Sequence, residues 1–555
     1  MKKKHNGITK LLFFCIAVIV NIKSIFVDYN SDVGYAVAMS HRLLKGDGMF
    51  YKMWEPHQTS AFLIAGFMNI YEKVFHTRDG IVICLHFIGF LLFCLTAFFL
   101  FKTMVTFVNK DVAFLIGMLF VILRPKMMQI PDYANMTILF SAWFFILLIR
   151  YYVAQKSIIN LIAASVFMCL NVLAYPSCII LYPGLLVCIV LLSQKRVRDI
   201  MVSTATCLVF GGAYLSYFLT KLSLNNLFER LITIVKADTH SGKRVYTGFY
   251  YFEEVIIGLA VILFCLIISK LTVNVLDSMH REKKSNFRAV LSIYLAISIC
   301  LERILVPLLI KRESLGNWCL DKIILLAIVV IGMFGYKRLN FEQKKIYKMG
   351  IVISCCTFVS TMILTNLPLI TIFGYMHLAV AVSFMSLTTE EETTDCSEVK
   401  RNRNWLAVAC LVILTFSQAV YNIDKVENYV RTGPLKGLVT TLNECNKNRL
   451  TYESWNRLFN KDDELLIAQE YAVDPIFYTF SEASVSNYST ISTIFLGDGL
   501  REYWMEFPDK EPTVIVVPAW QGKEEAALPE WLSSKIEEEY RLTNTEDYWN
   551  VYRKK

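Results

Sequence analysis

The residues best suited to chemistry in this sequence are carboxylates that stand where long apolar segments begin or end. Asp28 and Asp32 follow the first apolar segment, and Asp132 directly precedes a later one. Ionisable groups at membrane depth are costly, so they usually serve a function. A carboxylate at the membrane surface can act as a general base toward a hydroxyl group. In the first turn of a helix it also complements the helix dipole, so both roles are open for Asp32.

Groups that can bind an anionic or polyhydroxyl ligand stand in similar positions. Glu55 and His57 are near the start of a predicted surface helix, whose free N–H groups suit an anion. Alternatively, these residues only cap the helix, beside a tryptophan, Trp54, that anchors it at the membrane interface. Arg124 and Lys126 belong to the next loop, where snorkelling toward the membrane surface is the alternative.

Further candidates occur later in the chain. Lys243 and Arg244 are cations in a predicted outer loop, and Arg303 interrupts an apolar run together with the glutamate before it. An arginine near the membrane surface can hold a lipid phosphate, whereas a buried Glu–Arg pair can be purely structural. Tyr375 and His377 lie in a later apolar run, where a histidine can also simply bond to a neighbouring helix.

The elements that must position these residues are membrane helices. Of the 555 residues, 55% are hydrophobic and 19% are charged, and the mean hydropathy is +0.46. Soluble domains carry about 25% charged residues, so a soluble enzyme is excluded. The apolar residues fall into about thirteen runs, and about 20 residues cross a membrane. The runs are 9–27, 81–101, 112–130, 134–153, 157–175, 177–193, 200–220, 254–273, 289–309, 321–336, 349–365, 367–387 and 404–421.

Charge predicts the orientation of these spans. The net charge of the chain is +9, yet residues 422–555 hold 15 basic and 23 acidic residues. The positive charge is therefore concentrated between the spans, as in cytoplasmic loops, which argues against nucleic acid as a partner. With a cytoplasmic amino terminus and an odd number of spans, residues 422–555 lie outside the cytoplasm. The sequence predicts a multi-pass protein of the cell membrane, in contact with membrane lipids.

Two domains follow from this pattern. Residues 1–421 form a transmembrane domain of about 13 helices, whose first outer loop, 28–80, carries a surface helix from Asp32 to about Lys45 and another from Pro56. Residues 422–555 form a small extracytoplasmic α/β domain, with predicted strands at 465–469 and 513–518. That domain has no glycine-rich phosphate loop and no paired-cysteine metal motif, so catalysis is expected in the membrane domain.

Three stretches of the first loop resemble the first outer loop of GT-C superfamily glycosyltransferases, in particular the branch with protein O-mannosyltransferases and the bacterial aminoarabinose transferase. They are 32–35 (DVGY), 43–47 (LLKGD) and 51–57 (YKMWEPH). The family loop reads Asp-Glu-x-Tyr, then a helix ending Leu-Leu-x-Gly, then an aromatic segment leading to Pro-Pro or Pro-His. Here Val33 replaces the family's Glu. Asp132 resembles the acidic residue of the family's second loop, and 374–377 (GYMH) is similar to a later Gly-x-Tyr-x-His segment.

This resemblance implies a GT-C-like enzyme that transfers a sugar from a polyprenyl-phosphate donor to an extracytoplasmic lipid, glycan or protein acceptor. The family's proposed base corresponds to Asp32. The donor's isoprenoid chain is then expected among the spans, with its phosphate near Arg303, His377 or the pair Lys243 and Arg244. A single displacement would invert the anomeric carbon. The resemblance implies no metal cofactor, and a divalent metal stays open.

The alternative function is a transporter or flippase of lipid-linked sugars. Such a protein would share the spans and the charged sites near them, but the sequence has no obvious pair of repeats with matching broken helices. A third hypothesis is a structural protein whose tail binds glycan. The tail's five tryptophans fit that hypothesis or a simple hydrophobic core.

Overall fold

The computed structural model describes residues 2–124, 128–237, 244–279, 287–310, 322–364, 372–388, 405–468, 474–491, 499–519, 528–546 and 548–555. Its helices are α1 Lys2–Phe26, α2 Ser31–Leu44, α3 Ala61–Phe75, α4 Ile81–Met104, α5 Lys110–Ile122, α6 Tyr133–Tyr152, α7 Ile159–Ala174, α8 Leu181–Leu192, α9 Arg196–Leu219, α10 Leu224–Ala237, α11 Arg244–Met279, α12 Phe287–Ile310, α13 Ile323–Gly335, α14 Phe341–Leu364, α15 His377–Thr388, α16 Trp405–Val420, α17 Leu442–Leu458, α18 Gly499–Glu506 and α19 Glu530–Glu539. Its strands are β1 Asn428–Tyr429, β2 Val439–Thr440, β3 Glu464–Ile467, β4 Ser484–Val485, β5 Val514–Pro518, β6 Tyr540–Glu546 and β7 Trp549–Lys554.

Each of the thirteen predicted apolar runs overlaps a helix, although α15 covers only the second half of the run 367–387. Within the described residues, seven of these helices are long and apolar enough to cross a membrane, and α7, α8 and α15 are shorter apolar helices. The fold prediction, a polytopic helical membrane protein with a small sheet-containing carboxyl-terminal part, is confirmed. Helix α5 ends earlier than its apolar run, at Ile122, where Nη1 of Arg124 donates to the carbonyl of Phe120 over 2.8 Å. A cation placed there caps the last helical carbonyls.

Helix α6 lies at the centre of the membrane bundle. It packs against α7 along most of its length and also contacts α4 and α14. Of its side chains, Phe144, Phe145, Leu148 and Ile149 are fully buried. Dense burial fixes both ends of a helix, so the residues at the start and the end of α6 have defined places on opposite sides of the bundle.

The first loop folds as a helix, a turn and a second helix. The Asn30 side chain accepts the amide of Val33 over 3.0 Å, which caps α2. The second helix begins at Ala61 rather than at Pro56. The reason is that the Glu55 carboxylate accepts hydrogen bonds from Ser489 and Thr490, which holds the intervening residues in a turn.

The carboxyl-terminal part contains a five-stranded mixed sheet in the order β4-β3-β5-β7-β6. Its inner residues share one hydrophobic core with the first loop, so the two do not form separate bodies. That core joins Val33 and Val37 of α2 to Trp455, Phe477 and Trp549. A backbone bond from Asp28 to the carbonyl of Val439, 2.9 Å long, adds a second connection.

Gly34 permits the closest approach between α2 and the carboxyl-terminal part. A Cβ at this position would lie 2.1 Å from Oδ1 of Asp474 and 3.1 Å from the amide nitrogen of Ile476. We expect Gly34→Ala to lower the stability by about 1–3 kcal/mol, because the contact must open. Gly66→Ala is the matched control, since nothing lies within 4 Å of its added Cβ. We expect this variant to leave the stability unchanged or to raise it slightly. Thermal unfolding followed by tryptophan fluorescence measures both, and equal melting temperatures would contradict this packing.

Candidate active site

Asp32 lies beside three nearly parallel rings at the start of α6. The hydroxyl of Tyr133 donates to Oδ1 of Asp32 over 3.1 Å. The ring of Tyr133 stacks on the imidazole of His57, with 3.9 Å between the centroids and 13° between the planes. The ring of Tyr175 lies 5.3 Å from His57 and 5.7 Å from Tyr133. The site therefore offers a partly exposed carboxylate, fixed by one phenol, beside flat aromatic surfaces.

Local sequence explains how each group reaches this place. Asp32 occupies the first turn of α2, and the Asp132 side chain caps α6 by accepting the amide of Asn135 over 2.8 Å. That cap places Tyr133 at the first position of α6. Tyr175 has extended backbone angles, φ −145° and ψ 99°, as expected for a residue that precedes a proline.

The three predicted carboxylates have different surroundings. Asp132 is buried, with 2% exposure, and its side chain caps α6 by accepting the amide of Asn135. Asp28 is also buried and accepts hydrogen bonds from Asn422, Lys425 and Thr440. It thereby joins the end of α1 to the carboxyl-terminal part. Asp32 is the carboxylate that lies against the aromatic stack.

Glu55 belongs to a buried charged network. Arg42 donates to Asp47 over 2.9 Å, lies 3.5 Å from Glu55 and also bonds the carbonyl of Asn487 at 2.8 Å. Asp47 in turn pairs with Lys510 at 3.0 Å. Burial raises the pKa of the Glu55 carboxyl, although Arg42 and its other donors act against that shift. Glu55 therefore anchors the segment that carries His57, two residues on, to the carboxyl-terminal part.

An apolar groove borders the aromatic stack. Its volume is about 550 Å³, and it lies among α7, α9 and α10. Leu173, Pro176, Leu208 and Leu215 are typical of its lining. Thr59, two residues after His57, is also among its lining residues. A carboxylate with stacked rings and an apolar groove therefore lie in the same region of the protein.

A second group of polar residues collects where α5 ends. Nε2 of His377 lies 3.1 Å from the carbonyl oxygen of Leu123, and the Lys322 ammonium lies 3.4 Å from that of Arg124. The Arg124 guanidinium covers the ring of Phe93 at 3.6 Å. Arg124 and Lys322 are fully buried, so two cations and an imidazole meet in an apolar setting. Such a group can neutralise an anion.

Of the other predicted residues, the structure describes the side chain of Tyr375 alone. Tyr375 is buried, and its carbonyl accepts from Thr357 over 3.3 Å. Lys126 and Lys243 lie outside the described residues. Arg244 begins α11 and Arg303 lies on α12, but their side chains are outside the description.

Sequence reasoning missed Tyr133, Tyr175 and Lys322. Tyr133 carried a signal, because it follows a capping carboxylate at the start of a span. Tyr175 carried a weaker one, its position before Pro176 in a break between apolar runs. Lys322 resembled an ordinary charge at a span end. Among the residues that the structure describes, no three of His, Cys, Asp and Glu come together as a metal site.

No family model matches the chain, and no curated protein matches its sequence. Among solved structures, the chain is similar to the archaeal oligosaccharyltransferase AglB from Archaeoglobus fulgidus, described in complex with an inhibitory peptide and a dolichol-phosphate. The TM-score is 0.46 and the identity 12%, over 97% of this chain and 74% of that one.

A second similar structure is ArnT from Cupriavidus metallidurans, with a TM-score of 0.42 and 10% identity over 99% of this chain and 98% of that one. ArnT also appears bound to undecaprenyl phosphate, with a TM-score of 0.42 and 11% identity over 98% of this chain and 97% of that one.

Proposed function

We propose that this protein is a membrane glycosyltransferase that moves a sugar from a polyprenyl-phosphate donor to an acceptor hydroxyl. The observation that carries the proposal is the Asp32 carboxylate beside the stacked rings, with a 550 Å³ apolar groove nearby, whose lining includes Thr59 and Pro176, near neighbours in sequence of two of those rings. A lipid-linked sugar has the same division into an apolar chain and a polar head. Burial of the chain supplies binding energy in proportion to its apolar area.

The donor would lie with its isoprenoid chain between α7 and α9 and its sugar beside the aromatic stack. We propose that its phosphate meets cations at the outer ends of the spans. Arg124 and His377 are predicted residues of this kind, and Lys322 joins them. Within the described part of the chain, Nε and Nη2 of Arg124 have no hydrogen-bond partner. Lys126, Lys243, Arg244 and Arg303 remain proposed contacts on sequence grounds.

Asp32 would act as the general base. Its carboxylate takes the proton of the acceptor hydroxyl, whose oxygen then attacks the anomeric carbon of the sugar. The bond from that carbon to the phosphate oxygen breaks, and the electron pair leaves with the polyprenyl phosphate. The Tyr133 hydroxyl, 3.1 Å from Oδ1, orients the carboxylate. This single displacement inverts the anomeric carbon, and cations stabilise the departing phosphate.

The remaining parts of the proposal concern the surroundings. The acceptor is an extracytoplasmic lipid, glycan or protein, and the amino terminus faces the cytoplasm, so Asp32 and residues 422–555 face outward. Purified protein in lipid, supplied with a polyprenyl-phosphate sugar and candidate acceptors, tests the reaction. Release of polyprenyl phosphate with glycosylation of an acceptor is the expected result. Movement of the sugar lipid across the membrane without bond cleavage would instead identify a flippase.

Two adjacent glycines test the role of the groove. Gly211 lines the groove and Gly212 does not, and neither would meet an atom within 4 Å of an added Cβ. We expect Gly211→Phe to raise KM for a long-chain donor about tenfold, because the ring occupies volume that the chain needs. Gly212→Phe should leave KM unchanged. Kinetics with long- and short-chain donors measure the effect, and equal KM values for the two variants would contradict the proposal.

A further inference from the structure

A second cavity lies at the opposite end of α6 from Asp32. Helix α6 has 20 residues, so its last residue, Tyr152, is about 30 Å from Tyr133, one bilayer core away. Near Tyr152 the ends of α6 and α8 meet the starts of α7, α9 and α14, and they enclose a cavity of about 370 Å³. This cavity is separate from the proposed reaction, which takes place at the other membrane surface.

The lining of the cavity is strongly basic. Lys156, Lys195, Arg198 and Lys345 contribute to it, and Asp199 is the carboxylate among its lining residues. Within the described residues, none of the three lysines forms an ion pair. Lys156, Lys195 and Arg198 are exposed and Lys345 is half-buried. They converge on one cavity from three segments, which are the connection between α6 and α7, the start of α9 and the start of α14.

Asp199 forms an ion pair with Arg198, so the three lysines supply the unpaired positive charge of the cavity among the residues that the structure describes. It is buried, with 1% exposure, and accepts hydrogen bonds from Tyr151 at 2.8 Å and Ser193 at 2.7 Å. Arg198 also donates to it, through Nε at 3.0 Å and Nη2 at 2.8 Å. This set of bonds holds the guanidinium in one orientation. In the described part of the chain, no group accepts a hydrogen bond from Nη1 of Arg198.

We propose that this cavity binds the phosphate headgroup of an anionic membrane phospholipid. The cavity lies at span ends, at the depth of headgroups, and basic pockets between spans suit such lipids. The fixed guanidinium provides directed hydrogen bonds to a phosphate, and the lysines provide charge. The lipid is not the sugar donor, because the proposed donor site is at the far end of α6.

Binding at this cavity would affect the apolar groove through α9, which contributes residues to both. This helix begins beside the cavity, which its residue Arg198 lines, and its later residues Thr204, Leu208 and Leu215 line the apolar groove. Helix α7, which starts next to the cavity, supplies the opposite wall with Met168 and Val172. A phosphate held between the ends of these helices stabilises the spacing of the groove walls.

The test compares two triple variants of the full chain, purified in neutral detergent. Lys156→Gln, Lys195→Gln and Lys345→Gln remove the cavity lysines. Lys102→Gln, Lys110→Gln and Lys337→Gln remove the same charge from exposed positions outside the cavity lining. Phosphatidylglycerol should raise the melting temperature of the wild type and the control by several degrees, because a ligand of the folded state stabilises it. The cavity variant should need at least tenfold more lipid for the same shift.

Native mass spectrometry gives a second readout that does not depend on stability. Wild type and control should retain one more phosphatidylglycerol molecule than the cavity variant, and phosphatidylcholine should show no such difference. Equal retention by both variants would overturn the proposal. A different result would be that inorganic phosphate alone stabilises the wild type as much as phosphatidylglycerol does, and that the cavity variant loses this stabilisation. That result would overturn the lipid assignment and identify a site for free phosphate.

Discussion

Asp32→Asn is expected to lower the rate of sugar transfer by about 10²–10⁴-fold, the usual contribution of a general base. The amide keeps an oxygen that can accept the hydrogen bond from Tyr133, so the local structure is preserved. It cannot take a proton from the acceptor hydroxyl. Transfer of labelled sugar from a polyprenyl-phosphate donor measures the rate, and the melting temperature shows whether the variant is folded.

Asp28→Asn is the matched control, because it changes the other carboxylate at the end of α1. Asp28 has a positive φ of 57°, a conformation that asparagine tolerates, so the backbone is not disturbed. Its ion pair with Lys425 is lost, and we expect a lower melting temperature with turnover per folded molecule within about threefold of the wild type. A normal rate in the Asp32 variant, or a lost rate in a folded Asp28 variant, would refute the assignment of the base.

Arg42→Met is expected to give the largest loss of stability, about 3–5 kcal/mol, because it leaves the carboxylates of Asp47 and Glu55 buried without this cation. All three side chains are at most 4% exposed. Thermal unfolding followed by tryptophan fluorescence measures the loss.

Two further variants show whether unpaired burial is the cause. Arg449→Met removes an exposed arginine paired with Glu453 on α17, and it should change the stability by less than about 0.5 kcal/mol. Glu55→Gln added to Arg42→Met should recover part of the loss, because one uncompensated acid is removed. If the double variant is no more stable than Arg42→Met, the network does not act through Glu55.

The amino-acid sequence determined the membrane class and the order of the helices. Apolar runs long enough to cross a bilayer are visible in one dimension, because a helix in lipid satisfies its own backbone hydrogen bonds. The cap of α2 is also a local feature, because Asn30 and Val33 are only three residues apart. Asp32 could be named because its position just after a span is a local property.

The tertiary structure decided which residues share the site. His57, Tyr133 and Tyr175 come from three segments, and only packing brings their rings into one stack. It also decided that Asp28 joins α1 to the carboxyl-terminal part while Asp32 faces the rings, although four residues separate them. The late start of α3 depends on a bond between Glu55 and Thr490, far apart in the chain. Such contacts depend on how distant surfaces fit together, which local residue preferences do not encode.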